Sequence, residues 1–125
     1  MTRAERMALD ALSTRAEFVS AQQIHAQLRS AGQSIGLTSV YRAVQRLRDS
    51  GQIDETRTAA GEAVYRRCAP AHHHHLICET CGRAVELTSL ATERWVEAAA
   101  QEHGYALISH QLEILGRCPG CQTMA

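Results

Sequence analysis

Five cysteines and seven histidines sit in a chain of 125 residues, and most fall at spacings that suit metal coordination. Cys78-x-x-Cys81 and Cys118-x-x-Cys121 are two knuckles that together supply four thiolates, the donor set of a tetrahedral structural zinc site. Gly82 follows the first knuckle and Pro119-Gly120 lie inside the second, so the backbone can bend around a metal. Two disulfides or a redox dithiol are the competing chemistries. A redox dithiol needs only one pair, and neither pair follows a thioredoxin-like pattern.

The second constellation is CAPAHHHHLICETCG, residues 68–82. Its four histidines lie mid-chain between two patterned halves, which argues against a tag remnant. If the run enters a strand, its side chains alternate between faces. His72 and His74 then point one way, and His73 and His75 the other, which suggests two sites. Glu93 and His110 are candidates to complete the first pair. Cys68 at the hinge and Asp54 in the preceding half are available to the second. The competing picture is a solvated polyhistidine loop that binds metal loosely.

These residues need elements to hold them. Arg3 to Ser13 reads as a helix, with Met7, Leu9, Ala11 and Leu12 inward. Ser20 caps a second helix carrying Ile24, Leu28 and Ala31, which Gly32 ends. In GLTSVYRAVQRLRDSG, Val40, Val44 and Leu47 form an apolar stripe, and Gly51 closes the helix. Ile53–Thr56 and Ala63–Arg67 make a hairpin around Ala60-Gly61. Three helices and a hairpin are the order of a winged helix-turn-helix, whose third helix enters the DNA major groove. Its exposed residues would be Ser39, Tyr41, Arg42 and Arg46. Arginine can donate two bonds to guanine, and an aromatic edge can touch a thymine methyl, so Tyr41 and Arg42 are the candidates for base contact. Packing into the helix core is the alternative for Tyr41. Arg46, Arg57 and Arg66 are expected at phosphates or in solvent, with a paired wing charge as the equal alternative for Arg66-Arg67.

Residues 68–71 read as a hinge interrupted by Pro70. His75–Cys78 and Arg83–Leu87 are strands flanking the first knuckle. A helix over Thr88–His103 is capped by Thr88 or Ser89. A last strand, Ala106–Leu115, would place Ile108, His110, Leu112 and Ile114 on one face. Trp95 and its helix read as core or dimer contacts, and His25 and His103 as ordinary helix-surface residues. The fold class is α+β.

Composition agrees with this division. Residues 1–70 hold ten arginines against seven acids, and residues 71–125 three against six, with no lysine anywhere. The first half is therefore the better partner for an anion such as DNA. Halves of this size have thin cores, and such domains often recruit metals. No apolar run approaches the ~20 residues needed to span a bilayer, and no apolar leader opens the chain. A cytoplasmic location without membrane contact is expected. In that reducing compartment, cysteine pairs favour metal over disulfides.

GLTSVYRAVQRL, GEAVYRRC, HHHHLICETCG and ISHQLEILGRCPGC together resemble the ferric uptake regulator family of metal-responsive repressors. The combination spans nearly the whole chain and is far more specific than any one motif. Within the family the chain is most similar to the zinc uptake regulators of actinobacterial type. Cys68 carries much of that likeness, because iron and peroxide sensors of the family usually lack a cysteine in their sensing site. The resemblance implies a winged-helix DNA-binding domain over residues 1–67, a hinge over 68–71 and a small α/β dimerisation domain over 72–125. It also implies three ligand sets. Cys78, Cys81, Cys118 and Cys121 would form a structural zinc site. Asp54, Cys68, His73 and His75 would form a sensing site, and His72, His74, Glu93 and His110 a further zinc site. The linker CAPAHHHH is about one residue shorter than in close relatives, and a one-residue shift would exchange the two histidine pairs.

The implied function is a homodimeric repressor that uses zinc, two to three ions per chain, as co-repressor. It would bind palindromic double-stranded operators of zinc-acquisition genes and act on no small-molecule substrate. Alternatives are an iron-, nickel- or peroxide-sensing member of the family, a zinc buffer, or a zinc hydrolase. Against the hydrolase, each inferred tetrad is complete and there is no His-Glu-x-x-His motif.

Overall fold

The computed structural model of the chain describes residues 1–68 and 72–123. Its first half is α1 (Arg3–Ser13), α2 (Ala21–Ser30), α3 (Leu37–Asp49), β1 (Ile53–Arg57) and β2 (Ala63–Arg67). Local chemistry sets these boundaries. Thr2 and Ser20 open α1 and α2 with capping boxes completed by Glu5 and Gln23, each satisfying amides that the first turn leaves unpaired. After the cap of α3 at Ser50, Gly51 takes φ 78° and turns the chain into β1. The β1–β2 hairpin runs in register from Ile53↔Arg67 to Arg57↔Ala63.

Apolar residues at helical spacing converge on one core. Leu12, Val19, Ile24, Val40, Val44 and Leu47 are its largest fully buried side chains, each worth about 1.5–3 kcal/mol of transfer from water. Met7 packs against that core only in part, and Ala31 is exposed at the C-cap of α2. α3 thereby presents its other side to solvent.

The second half comprises β3 (His74–Cys78), β4 (Ala84–Leu87), α4 (Leu90–Glu102), β5 (Glu113–Gly116) and a short α5 (Pro119–Gln122). The sheet order is β4-β3-β5, antiparallel between β3 and β4 and parallel between β3 and β5. Ala69, Pro70 and Ala71 of the expected hinge lie outside the described residues.

Two expectations need correction. The last strand is confined to Glu113–Gly116, and residues 105–112 form no regular element. The reason is register: Glu113 already pairs with His75 near the start of β3, so earlier residues run past the strand that would receive their hydrogen bonds. Ile108 is accordingly 92% exposed. Trp95 is not core within this chain, because α4 buries none of its residues and the indole is 70% exposed. The sheet instead turns Ile77 and Ala84 toward Phe18 and Val64, a second small core shared between the halves. CPGC coils into the α5 turn, with Cys118 as its N-cap.

A backbone ladder joins the halves. In the α1–α2 connection, Val19 exchanges both hydrogen bonds with Tyr65 of β2, at 2.9 and 2.7 Å. On its other side, the Phe18 amide donates to the Gly82 carbonyl at 2.8 Å and the Ala84 amide to Ala16 at 3.2 Å. Gly82 has φ 79°, and a Cβ there would sit 2.9 Å from the Phe18 carbonyl oxygen, so the close approach needs glycine. No helix among the described residues is long and apolar enough to cross a membrane.

Candidate metal centres and nucleic-acid face

The first cluster lies where β3, the knuckle turn and α5 meet. The sulfurs of Cys78, Cys81, Cys118 and Cys121 all lie within 4.8 Å of one another, with Cys81 and Cys118 3.7 Å apart. A tetrahedron with metal–sulfur bonds of about 2.3 Å has edges of about 3.8 Å, so the four sulfurs fit one ion. The backbone of Cys118, then of Cys81, hydrogen-bonds the Cys78 sulfur and holds that thiol down to about 6. The backbone of Cys121 likewise lowers Cys118. Cys121 goes the other way, pushed up to about 12, first by its hydrogen bond to Cys118 and then by burial. Amides aimed at sulfur favour thiolates, and crowded thiolates favour a cation between them.

The second cluster spans the two halves. Asp54 comes from β1, Cys68 from the end of the wing, His73 from the approach to β3, and His75 from β3 itself. Their ligand atoms also lie within 4.8 Å of one another. His73 Nε2 donates to Asp54 Oδ2. His75 Nε2 is 3.1 Å from the same oxygen and 3.4 Å from Cys68 Sγ. The donor set of one thiolate, two imidazoles and one carboxylate fits a four-coordinate divalent ion of borderline softness.

Its electrostatics describe a site holding protons where a metal would go. Burial opposes ionisation of Asp54, yet hydrogen bonds from His75, Cys68 and His73 hold its carboxyl well below the usual range. Burial, followed by the hydrogen bond to Asp54, pushes the Cys68 thiol up to about 12, against the pull of Arg66. Burial also works against a charged His75, but Asp54 and Glu113 together raise it above its ordinary value. Cys68 is therefore protonated at neutral pH, and an incoming cation must expel that proton. In acid it must expel the His75 proton as well. Acidification thus weakens the site. Apparent affinity is expected to rise at least about tenfold per pH unit around neutrality, the Cys68 proton being released throughout and the His75 proton adding to it on the acid side. Competition with a chelator of known pH dependence measures it, and a flat profile would contradict this account.

The third cluster is His72, His74, Glu93 and His110. Glu93, in the first turn of α4, takes His74 at 2.9 Å, His72 at 3.2 Å and His110 at 2.8 Å. Hydrogen bonding to His74, then His110, lowers its pKa despite partial desolvation. His72 and His110 approach within 3.1 Å. The alternation of strand side chains thus sends His72 and His74 to one cluster and His73 and His75 to the other, with no shift between the pairs. All twelve sequence-predicted ligands fall into these three groups.

On α3, Ser39, Tyr41, Arg42 and Arg46 all face solvent. Tyr41 is 40% exposed, so it is not packed into the helix core. Arg66 is a paired charge of the wing, 15% exposed at its side chain. Its Nε donates to the Ala16 carbonyl at 3.0 Å, and its Nη1 lies 3.5 Å from Cys68 Sγ and 3.3 Å from Glu86 Oε1. His25, read as a plain surface residue, contacts the Ile35 carbonyl at 3.0 Å and fastens the α2–α3 turn. Phe18 and Glu113 were also missed: the Phe18 ring stands edge-on to His75 at 5.1 Å, and Glu113 faces His75 Nδ1.

Comparison with known proteins places these clusters in context. A sequence profile of the ferric uptake regulator family matches residues 1–115. A zinc uptake regulation protein of Mycobacterium tuberculosis (strain ATCC 25618 / H37Rv) is 43% identical over 112 residues, which cover 90% of this chain and 86% of that protein. The crystal structure of FurB from M. tuberculosis, a zinc uptake regulator, is similar at TM-score 0.57 and 43% identity, covering 95% of this chain and 92% of that one. A zinc uptake regulator complexed with zinc and DNA is similar at TM-score 0.75 and 25% identity, covering 97% and 82%.

Proposed function

We propose, since the chain belongs to the ferric uptake regulator family, that it is a zinc-responsive transcriptional repressor. It acts in the cytoplasm as a homodimer on palindromic operators of zinc-acquisition genes, with zinc as co-repressor. The observation that carries this reading is the cluster of Asp54, Cys68, His73 and His75, drawn from both halves and containing a thiol. Thiolate with imidazole suits Zn²⁺ better than Fe²⁺ or Mn²⁺. The relatives named for zinc uptake, and the one solved with zinc and DNA, support carrying zinc and DNA to this chain.

In this reading residues 1–67 bind DNA, 68–71 form the hinge and 72–125 hold metal and dimerise. The Cys78, Cys81, Cys118 and Cys121 site is structural. The His72, His74, Glu93 and His110 site holds a further zinc, giving two to three ions per chain. Zinc, when bound at the sensing cluster, supplies a four-bond cross-link between wing, hinge and β3. Asp54 and Cys68 then fix the wing relative to His73 and His75, and so fix the tilt of α3. In a dimer that tilt decides whether two recognition helices match half-sites about 34 Å apart. Zinc and operator accordingly each tighten binding of the other. The uncovered apolar side chains Leu90, Trp95 and Tyr105, each at least 67% exposed, support a second copy packing on the C-terminal half.

The test is fluorescence anisotropy of a labelled AT-rich palindrome at fixed salt, with free zinc, iron, manganese and nickel set by metal buffers. Binding that appears as zinc rises, at one dimer per palindrome, is the expected result. Binding that follows another metal, or none, overturns the zinc assignment. Arg42→Ala is expected to lower operator affinity about tenfold while changing random-DNA affinity by about twofold or less, because a bidentate base contact is worth about 1–3 kcal/mol. Equal losses on both DNAs would show that Arg42 reads no base.

A further inference from the structure

We propose that Glu113 is the positioning residue of the Asp54–Cys68–His73–His75 cluster: its carboxylate accepts a hydrogen bond from Nδ1–H of His75 and thereby commits Nε2 to the metal. The inference rests on the sensing role proposed for that cluster. A neutral imidazole carries one N–H, on either nitrogen, and only one tautomer offers its lone pair at Nε2. The two nitrogens of His75 see different surroundings. Nε2 faces Asp54 Oδ2 at 3.1 Å and Cys68 Sγ at 3.4 Å. Nδ1 faces Glu113, with Oε1 at 3.4 Å and Oε2 at 3.3 Å.

The ring has little freedom to exchange these roles. It is 4% exposed. Phe18 stands edge-on to it at 5.1 Å and His73 at 4.7 Å. Glu113 itself is fixed by the sheet, because the parallel register pairs it with His75. It contacts the ring nitrogen that points away from the cluster, so it orients a ligand without being one. A carboxylate behind a metal-bound histidine fixes its tautomer and raises its basicity, and losing such a partner typically costs about 10–100-fold in metal affinity. The segment from His110 through Glu113 to Cys118 thus touches all three clusters, and a shift of β5 at one is felt at the others.

The test uses the full-length dimer with its Cys78, Cys81, Cys118 and Cys121 site already filled with zinc. Affinity at the sensing cluster is measured by chelator competition, and its occupation by the thiolate-to-cobalt absorption of added Co²⁺. Glu113→Met keeps length but removes the acceptor, and Glu113→Gln keeps an acceptor oxygen. Glu113→Met is expected to bind 10–100-fold more weakly, and Glu113→Gln to stay within about threefold of the parent. Affinity unchanged in Glu113→Met, or equal loss in both variants, overturns the proposal. Cys68→Ser separates this from the reading beneath it: if the parent shows no thiolate band, or Cys68→Ser binds as tightly as the parent, the sensing assignment itself fails. Should Glu113→Met not fold, long-range ¹H–¹⁵N spectra of the zinc-loaded parent decide. A protected Nδ1 proton on His75 is expected, and an Nε2-protonated ring overturns the inference.

Discussion

Cys81→Ser is expected to dismantle the C-terminal half. Cys81 sits in the turn between β3 and β4, and its sulfur faces Cys118 at 3.7 Å across the cluster. Removing one of four thiolates leaves three crowded ones without a full coordination set. A closed site of this kind contributes roughly 10–16 kcal/mol of apparent binding energy, as large as the whole stability of an ordinary domain. Little else holds the end of the chain. β5 contributes only Glu113–Gly116 to the sheet, and α5 is a single turn. The variant should lose one zinc per chain by elemental analysis, sediment as monomer or aggregate, and lose part of its far-ultraviolet dichroism. A folded, zinc-responsive Cys81→Ser dimer would refute the structural assignment.

Cys68→Ser should do the opposite, keeping the fold and losing the response. Cys68 lies at the edge of β2 and is only half-buried, and no core cluster includes it. Arg66 still ties the wing to Ala16 and Glu86 without it. What disappears is the one sulfur in a set whose remaining donors are an aspartate and two histidines. A serine hydroxyl does not ionise near neutral pH and is a poor zinc ligand. The free zinc needed for half-maximal operator binding should rise at least about 100-fold, roughly 2.7 kcal/mol of lost coupling, with sedimentation and melting unchanged for the dimer whose four-cysteine site alone is filled. An unaltered zinc response would remove Cys68 from the switch.

Why some of this could be read in advance and some could not follows from how each feature is encoded. The helices of the first half carry their own punctuation in Thr2, Ser20 and Gly51, and their stripes recur at helical period. The gathering of the candidate ligands was legible for a similar reason. Cys-x-x-Cys and His72–His75 are local patterns, and strand alternation alone sorts the histidines onto two faces. Glu113 behind His75 depends on the parallel register of β5 on β3. Phe18 and Arg66 depend on how the two halves meet. No short-range pattern records either. The overlong strand at 106–115 and the core half of the Trp95 reading failed together. Alternation and apolarity there are real, but no described residue of the same chain buries those side chains or pairs those amides in a strand.

The ladder through Ala16, Phe18 and Val19 has a mechanical consequence. Had chain connectivity alone joined the halves, they could swivel about any axis. Here there is a second attachment, where Phe18 and Ala16 grip Gly82 and Ala84. A rigid body pinned at two separated points keeps one freedom, rotation about the line between the pins. While both attachments hold, the motion of α3 is reduced from a wandering volume to an arc. Four ligands at one place on that arc are then enough to stop it at a single angle.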